Sequence, residues 1–414
     1  MKMASFHSIH GSGTTHQARP ITPSELRSEF SHHDSTVARI NNGTFGCCPS
    51  SIISAQQRHQ PLFLRQPDYY YFNSLKPSIL ESRRIIQSLI NADYVDEVSI
   101  VDGVTTAAAI VLQHYTWSFF SSAFKPGDAA IILNHSYSAV KKAVQAYISR
   151  AGGHVIEVPI PFPVKSDDEI ILEFRNSLQV AKANGLKIIL AVIDHITSMP
   201  SVIIPVKELV KMCRDEGVDR IFVDGAQAIG NVEIDVKEIG ADYYSSNLHK
   251  WLFCPPASAF LYCKMSDEFS DLHHLVISHE YGNGLAMESG WVGTRDYSAQ
   301  LVLPEVMEFV SRFDGGIEGI MRRNHKKVVE MAEMLSEAWE TELGAPPDMC
   351  SSMVMVGMPA CLGIKSDEDA MKLRTHLRER FGIEVYNRVE DYQRLRDAVN
   401  KLVKDGFTCS LLPN

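Results

Sequence analysis

Two residues of this sequence have the types and the spacing that carbanion chemistry on an amino acid requires. Lys250 lies in the run Asn247-Leu248-His249-Lys250-Trp251, 26 residues after Asp224. The apolar runs before them predict two short strands that end near the carboxylate and the amine. A lysine can form a Schiff base with pyridoxal phosphate (PLP), and a carboxylate can keep its pyridine nitrogen protonated. Either residue alone is more often an ordinary loop or strand-end residue, but the pair in this order favours a PLP site.

The composition is that of an ordinary globular protein. Apolar residues make up 45% and charged residues 22% of the 414 positions, which is enough to bury a large core. A net charge of −10 argues against a surface for nucleic acid or anionic membranes. The eight cysteines include no CxxC pair, so they indicate buried thiols in a reducing compartment.

The N-terminal residues carry a weak targeting pattern. Lys2 and Arg19 precede the first acidic residue, Glu25, which resembles a transit peptide, but no Arg-rich amphipathic helix is present. A flexible leader over residues 1–34 is the favoured interpretation. The expected compartment is the cytoplasm, with a mitochondrion or plastid as the alternative. No run approaches the ~18 consecutive apolar residues of a membrane span.

Short apolar runs alternate with helical patterns up to about residue 315. The run 187–194 is unbroken, and Ser138–Arg150 has its apolar residues at helical spacing. Unbroken apolar strands separated by helices predict a mainly parallel sheet covered on both faces. In such sheets ligands bind at the carboxyl ends of the strands, where Asp194, Asp224 and Lys250 fall. The other predicted strands are residues 129–134, 221–224 and 243–246.

The pattern changes in the last quarter of the sequence. Helices are predicted at 318–340 and 367–380, with short strands at 353–358 and 383–385. This order predicts a small α+β domain over residues 316–414, which follows a large domain over residues 35–315.

Four further clusters lie in a consistent order around Lys250. Each has an ordinary alternative, such as a threonine helix cap, a core tyrosine, a capped loop or a surface turn. Together they offer amides for a phosphate, an aromatic ring to stack on a cofactor, and hydroxyls for a phenolate oxygen. The clusters are Asp102-Gly103-Val104-Thr105-Thr106-Ala107, Asn134-His135-Ser136-Tyr137, His195-Ile196-Thr197-Ser198 and Gly290-Trp291-Val292-Gly293-Thr294-Arg295-Asp296.

With these motifs the sequence resembles the fold-type I, class V aminotransferase-like PLP enzymes, which include isopenicillin-N-epimerase-like proteins and plant L-cysteine desulfhydrases. The resemblance covers residues 35–340 and returns at 382–406. It implies a mainly parallel, seven-stranded-type α/β sheet flanked by helices, with a small C-terminal α+β domain that is truncated here. The matching motifs are Asn41-Asn42-Gly43-Thr44-Phe45-Gly46, Gly103-Val104-Thr105-Thr106, His195-Ile196-Thr197-Ser198, Asp224-Gly225-Ala226-Gln227, Asn247-Leu248-His249-Lys250-Trp251 and Gly293-Thr294-Arg295-Asp296.

The resemblance also implies roles for individual residues. Lys250 would bind PLP covalently and shuttle protons, Asp224 would pair with the pyridine nitrogen, and Tyr137 would stack on the ring. The remaining expected contacts are Gln227 with Thr197 or Ser198 for the phenolic oxygen, Val104, Thr105, Asn247 and His249 for the phosphate, and Gly293 and Thr294 for the phosphate of a neighbouring subunit in a homodimer.

The reaction expected from this resemblance is α,β-elimination of L-cysteine to H₂S, pyruvate and ammonia. Desulfurases of the class carry a mobile cysteine in a short Gly/His/Ser-rich motif, and Cys350, Cys361 and Cys409 lie in no such motif. Burial is the favoured role for all three thiols.

Other functions stay open at this point. The same residues would support epimerisation or transamination, and a non-catalytic PLP-fold protein would retain them as well. A metal hydrolase is disfavoured and no metal site is expected, because His273-His274 and His279-Glu280 lack ligand spacing such as HExxH.

One expected element is missing from the sequence. Family members place an arginine for the substrate carboxylate on a strand just before the C-terminal Tyr-Asn segment. Here Phe381-Gly382-Ile383-Glu384-Val385 runs directly into Tyr386-Asn387, so a strand near residues 385–386 is absent together with its arginine. Arg388, Arg394 and Arg396 lie beyond this junction, where a solvated or structural role is favoured. Impaired turnover is the resulting hypothesis, because a buried arginine–carboxylate pair contributes on the order of 2–5 kcal/mol.

Overall fold

Seven strands form one sheet in the computed structural model, which describes residues 19–34, 36, 38, 41–117, 125–265, 272–381, 383 and 389–411. The strands are β1 Val98–Val101, β2 Ala129–Leu133, β3 His154–Val158, β4 Ile188–Asp194, β5 Arg220–Asp224, β6 Tyr243–Asn247 and β7 Ala259–Cys263. Their order across the sheet is β1-β7-β6-β5-β4-β2-β3. All pairs from β3 to β6 are parallel, and β7 is antiparallel to both of its neighbours. The predicted mainly parallel sheet is therefore confirmed.

Helices connect and cover these strands. They are α1 Pro23–Glu29, α2 Asn42–Phe45, α3 Ser50–Arg65, α4 Pro67–Tyr70, α5 Lys76–Leu89, α6 Val104–Trp117, α7 Ser138–Arg150, α8 Asp167–Ala183, α9 Val206–Asp215, α10 Val236–Ile239, α11 Leu248–Trp251, α12 Leu285–Glu288, α13 Leu303–Ser311, α14 Gly316–Trp339, α15 Asp367–Phe381 and α16 Val389–Lys404. Helix α6 begins three residues earlier than the sequence pattern predicts, so its first turn contains the Val104-Thr105-Thr106 motif.

Two apolar clusters lie on opposite faces of the sheet. Residues of α5, α8, α9 and α13 pack with alternate strand residues such as Ile193 and Val223. Residues of α6 and α7 pack with Val192 and Phe222, the intervening residues of the same strands. Every residue of β4 is buried, because helices cover this central strand from both sides.

The parallel register brings two carboxylates together at the edge of the sheet. Asp194 ends β4, Asp224 ends β5, and the two residues are direct register partners. Side chains along a strand alternate between faces, so both carboxylates point to the face that carries Val192 and Phe222. The site residues at these strand ends therefore face α6 and α7.

The C-terminal helices enclose a third cluster. Residues of α14, α15 and α16, including Trp339, Leu373 and Val399, pack around the buried Leu362. The domain boundary between residues 315 and 316 stays a prediction. The membrane search covered the described residues and found no helix with the length and apolarity to cross a bilayer.

The predicted strand at 353–358 is wrong. This segment forms a single bridge, between Val356 and Leu343, and is otherwise irregular. A strand needs a continuous neighbour to satisfy its backbone groups, and the segment lacks one in the described part of the chain. Ile383 likewise forms one bridge, to Ala38, and the rest of the predicted strand 383–385 lies outside the described residues.

Gly46 fixes the approach of the turn after α2 to the loop that carries Lys250. Its φ is +69°, and a Cβ there would overlap the carbonyl oxygen of His249. Gly185 has almost the same φ, +70°, but a Cβ there would meet nothing within 4 Å.

We expect Gly46→Ala to lower the free energy of unfolding by more than about 3 kcal/mol, because backbone strain and a steric clash add together. Gly185→Ala is the matched control and should cost about 1–2 kcal/mol, the strain alone. Urea denaturation of both variants measures the difference. Equal losses would show that the close approach of Gly46 to His249 contributes nothing.

Candidate active site

A cavity of about 800 Å³ lies at the carboxyl edge of β5 and β6. It is bordered by the first turn of α6, by the turn around α2, by α11 and by the segment 352–356. Most of the residues that the sequence analysis singled out line it: Val104, Thr105, Tyr137, Ser198, Asp224, Gln227, Asn247, His249 and Lys250. Thr197, Gly293 and Thr294 are not among the lining residues.

Lys250 lies in α11, the short helix that follows β6 directly. Burial lowers the pKa of its amine, and the negative charge of Asp224 opposes this shift. A lowered lysine pKa leaves more of the amine neutral, which is the form that attacks an aldehyde. The Lys250 Nζ atom also lies 5.9 Å from the ring centre of Tyr137, so amine and aromatic ring border the same space.

Asp224 is buried, and burial raises the pKa of its carboxyl group. The backbone N–H of Ala226 donates to it at 2.9 Å, and both this bond and Lys250 favour the ionised form. A cationic partner in the cavity, such as a protonated pyridine nitrogen, would stabilise the ionised form of Asp224.

Asp194 is a second buried carboxyl group beside Asp224. Burial and the proximity of Asp224 raise the pKa of Asp194 to about 8. Its Oδ2 atom accepts a hydrogen bond from the Ser136 hydroxyl, one residue before Tyr137. Two neighbouring buried carboxyls do not both ionise readily, so the pair retains a proton to a higher pH than two separate carboxyls would. The sequence placed Asp194 at the strand edge but gave it no role.

The first turn of α6 offers backbone amides to the cavity. The N–H of Val104 already donates to Asn247 Oδ1 at 3.1 Å, so Asn247 is fixed against this turn. Thr105 is exposed toward the cavity. The His249 ring lies 3.0 Å from the Ser258 carbonyl oxygen, and burial lowers the pKa of this histidine. A 14-residue helix that points its positive end into the cavity is suited to a phosphate.

The two alternatives for the phenolic oxygen are placed differently. The Thr197 hydroxyl is buried and bonds to the carbonyl oxygens of Pro200 and Val202, so it serves the loop rather than the cavity. Ser198 lines the cavity. Of the predicted pair, the geometry supports Ser198, because the loop hydrogen bonds of Thr197 turn its hydroxyl inward.

Gln227 is held at both ends of its amide. Its Nε2 donates to the carbonyl of Gly43 at 2.7 Å, and its Oε1 accepts from Trp251 Nε1 at 2.8 Å. The amino group carries two hydrogens, so one remains for a ligand in the cavity. The sequence motifs did not reveal this connection between the α2 turn and α11.

The loop with Gly293 and Thr294 lies beside the cavity rather than in it. The next residue, Arg295, pairs with Asp102 directly before the α6 motif. Thr294 is exposed. Its predicted contact with a phosphate in a neighbouring subunit therefore stays a prediction.

The structure also shows where the arginines near the C-terminus lie. Arg394 donates to the Thr36 carbonyl, Arg396 pairs with Asp397, and Arg388 lies outside the described residues. Arg374, which the sequence analysis did not consider, borders the cavity at its far end, although it is exposed.

None of Cys350, Cys361 and Cys409 is among the cavity-lining residues that the structure describes. Cys350 and Cys409 are buried as predicted, and burial raises the pKa of the Cys350 thiol to about 11. The prediction is wrong for Cys361, which is exposed because it lies in a short surface turn.

The residues present fit PLP. The cavity combines a half-buried amine with a lowered pKa, a buried carboxylate, an aromatic ring and a helix N-terminus. These are the groups needed for the aldehyde, the pyridine nitrogen, the ring and the phosphate. Asn42 also lines the cavity, on the α2 turn.

The carboxyl pair predicts how stability depends on pH. Because the folded state raises the pKa of Asp194 from 3.8 to about 8, the folded chain binds more protons than the unfolded chain between these values. The contribution of Asp194 to the free energy of unfolding is therefore present at low pH and is lost as the pH rises toward 8.

Asp194→Asn tests this dependence, because it removes the titrating carboxyl but keeps an acceptor for Ser136. The Tm of the cofactor-free variant relative to the original protein should therefore rise between pH 5 and 8. A constant difference over this range would contradict the raised pKa.

Comparisons with known proteins agree with this site. A family model described as "Aminotransferase class-V" matches residues 73–385. The chain is 59% identical to the probable chloroplastic L-cysteine desulfhydrase of Arabidopsis thaliana, over 95% of this chain and 88% of that protein. It is 54% identical to the L-cysteine desulfhydrase of the same plant, over 95% of this chain and 94% of that protein. These alignments span 419 and 425 positions, more than the 414 residues here, so both relatives carry residues that this chain lacks.

A solved structure supports the fold. A C-DES mutant with glycine covalently linked to its PLP cofactor superimposes with a TM-score of 0.67 at 18% identity, over 90% of this chain and 98% of that chain. The family match covers most of the sequence, and the fold is that of a PLP-containing structure. The chain belongs to the class-V aminotransferase family.

Proposed function

We propose that this protein is a PLP-dependent carbon–sulfur lyase that converts L-cysteine to H₂S, pyruvate and ammonia. The observation that carries the proposal is the half-buried Lys250 in α11, whose amine interacts electrostatically with the buried Asp224 at the end of β5. The substrate comes from the relatives, which are named L-cysteine desulfhydrases and are 53–59% identical over most of this chain.

The side chains of the cavity have distinct tasks in this reaction. Bound PLP supplies an electron sink that stabilises negative charge at the substrate α-carbon. The neutral amine of Lys250 removes the α-proton, and the sulfide then leaves from the β-carbon. The resulting aminoacrylate is hydrolysed to pyruvate and ammonia. Asp224 would hold positive charge on the pyridine nitrogen, and the buried carboxyl of Asp194 lies directly beside it.

The position of the cysteines supports elimination rather than sulfur transfer to the protein. A transfer enzyme needs a thiol that reaches the substrate sulfur, with a pKa low enough to form a thiolate. Cys350 has a raised pKa and bonds weakly to the Pro346 carbonyl at 3.4 Å, away from the cavity lining. Sulfide released in the cavity therefore has no described acceptor thiol there.

The proposal includes a homodimer in which Gly293 and Thr294 reach the phosphate of the other subunit. Exposed apolar side chains in neighbouring segments support it, because apolar residues at the surface are often covered at interfaces. Lys76 pairs with Glu280 at 2.7 Å, and the ring centroids of Tyr71 and Trp291 lie 4.6 Å apart, so these segments contact each other and the loop with Gly293. The exposed residues are Leu62, Leu64, Tyr69, Phe72, Val276, Ile277 and Tyr281.

The proposed compartment is a plastid or the cytoplasm. The word "chloroplastic" in the name of one Arabidopsis relative supports the plastid. Of the residues that carry the weak targeting pattern, 1–18 lie outside the described part of the chain and Arg19 is the first one within it.

Lys250→Ala tests the site. The original protein with PLP should show a visible absorbance band that borohydride fixes on Lys250, and it should release sulfide from L-cysteine. The variant should lose the reducible band and at least about 10³-fold in kcat, because it lacks the amine that binds PLP and moves the proton. Lys211→Ala, at an exposed lysine of α9, is the control and should change neither.

A borohydride adduct that persists unchanged in Lys250→Ala would reject this lysine as the cofactor ligand. A coloured protein that releases no sulfide would instead reject the lyase. Turnover should have a KM above that of a relative that retains the additional residues. An equal kcat/KM would contradict the predicted impairment.

Asp224→Asn tests the carboxylate. The substitution keeps the shape and the bond from the Ala226 N–H but removes the charge that holds a proton on the pyridine nitrogen. We expect PLP to bind, as measured by absorbance, while kcat falls by about 10²-fold or more. Turnover close to that of the original protein would exclude this role for Asp224.

A further inference from the structure

A carboxylate lies directly before the helix end that is suited to the cofactor phosphate. Asp102 precedes Gly103, and α6 begins at the next residue, Val104. Gly103, Val104 and Thr105 line the cavity that Lys250 borders. The N-terminal end of a helix carries about half of a positive elementary charge, whereas an ionised carboxylate carries a whole negative charge. An unpaired Asp102 would therefore outweigh the charge of the helix end.

A phosphate ester in the cavity makes this balance of charges important. Such a group carries a charge of about −1.5 to −2 at neutral pH. An unpaired carboxylate two residues before the first turn of α6 would repel this group. It would also interact favourably with the helix end itself and so compete with the phosphate. Tight binding of a phosphate therefore requires a cation that pairs with Asp102.

Arg295 supplies this cation. Its Nη1 atom donates to Asp102 Oδ2 at 2.9 Å, and its Nη2 atom donates to Asp102 Oδ1. Two parallel bonds of this kind are the strongest way in which an arginine pairs with a carboxylate. Gln300 Nε2 also donates to Asp102 Oδ1, at 3.3 Å, but it carries no charge. Burial lowers the pKa of His274, which interacts electrostatically with both partners, so the balancing charge is that of Arg295.

The loop around Arg295 holds the guanidinium against Asp102. The Tyr297 hydroxyl donates to the Gly293 carbonyl at 2.7 Å and accepts from the Val292 N–H at 2.9 Å, which closes the loop. Arg295 Cζ lies 5.2 Å from the ring centre of the buried Tyr297. Arg295 itself is not among the residues that line the cavity. Its charge therefore reaches the cavity through Asp102 and not by direct contact.

From this arrangement we propose that Arg295 neutralises Asp102 and thereby gives the α6 end its preference for a phosphorylated cofactor. Arg295 is a positioning residue in this role, because it acts on Asp102 and not on the phosphate. The inference deepens the proposed function and rests on its PLP site. The arginine side chain is 32% exposed and the aspartate side chain 42%, so the pair contributes little to the free energy of unfolding. Variants of the pair should therefore fold.

The test compares two ligands that differ in the phosphate alone. PLP and pyridoxal have the same aldehyde and the same pyridine ring, but pyridoxal has a hydroxyl in place of the phosphate ester. Each is titrated into the protein after its cofactor has been removed, and the visible absorbance band gives an apparent Kd. The variants are Arg295→Gln, Asp102→Asn and the double variant. Arg312→Gln is the control, because Arg312 pairs with Glu25 at 3.3 Å with a similar exposure, 24% and 32%, and does not line the cavity.

We expect Arg295→Gln to raise the Kd for PLP about 10- to 100-fold, because the unpaired Asp102 repels the phosphate. The Kd for pyridoxal should change less than about twofold, since pyridoxal carries no phosphate. The double variant should bind PLP within about threefold of the original protein, because the repelling charge is gone. Asp102→Asn alone should not raise the Kd for PLP. Added salt should reduce the difference between Arg295→Gln and the original protein, because ions screen a repulsion. Arg312→Gln should change neither Kd.

Equal losses for PLP and pyridoxal in Arg295→Gln would overturn the inference, because the ion pair would then only hold the loop in place. A double variant that binds PLP as weakly as Arg295→Gln would also overturn it, and would mean that Arg295 contacts the phosphate. An original protein that binds PLP no more tightly than pyridoxal, or binds neither, would overturn it as well. The proposed function fails separately: a protein with the expected preferences that releases no sulfide from L-cysteine would keep the phosphate site and lose the lyase.

Discussion

The interaction on which the rest of the site depends is the one between Lys250 and Asp224 inside a buried cavity. Burial destabilises both charges, lowering the pKa of the amine and raising that of the carboxyl. Each group alone would be costly to bury, and each partly compensates the other. A cationic pyridine ring placed between them would satisfy Asp224 and leave Lys250 free to act as a base. The desolvation that makes these two charges costly to bury also shifts the pKa values on which their chemistry depends.

The parallel sheet brings Lys250 and Asp224 to the same edge. Parallel strands β4, β5 and β6 end at one edge, so residues separated by up to 56 positions, from Asp194 to Lys250, meet there. The helix α6 starts at the same edge and points its positive end into the cavity. The carboxyl of Asp194, bonded to Ser136, lies beside Asp224, and burial together with the charge of Asp224 raises the pKa of Asp194.

The Gln227–Asn231 turn connects this rigid edge to parts of the chain that are distant in sequence. Its amides bond to Gly43, Trp251, Ser351 and Ser352. The cavity wall is thus assembled from the α2 turn, α11 and the segment after α14. This last segment is irregular apart from one bridge, between Val356 and Leu343.

The sequence by itself determined the sheet class and the strand ends, and it predicted Lys250 and Asp224 as the central pair of the site. Unbroken apolar runs can be buried only in a covered parallel sheet, and the chemistry of a lysine and an aspartate at strand ends is local. Only the tertiary structure decided that the Thr197 hydroxyl bonds within its own loop whereas Ser198 lines the cavity. It also decided that residues 353–358 form no strand, and that Asp194 lies beside Asp224, whose charge helps to raise the pKa of Asp194. These properties depend on which groups become neighbours and how much water they lose, and neither is encoded in local spacing.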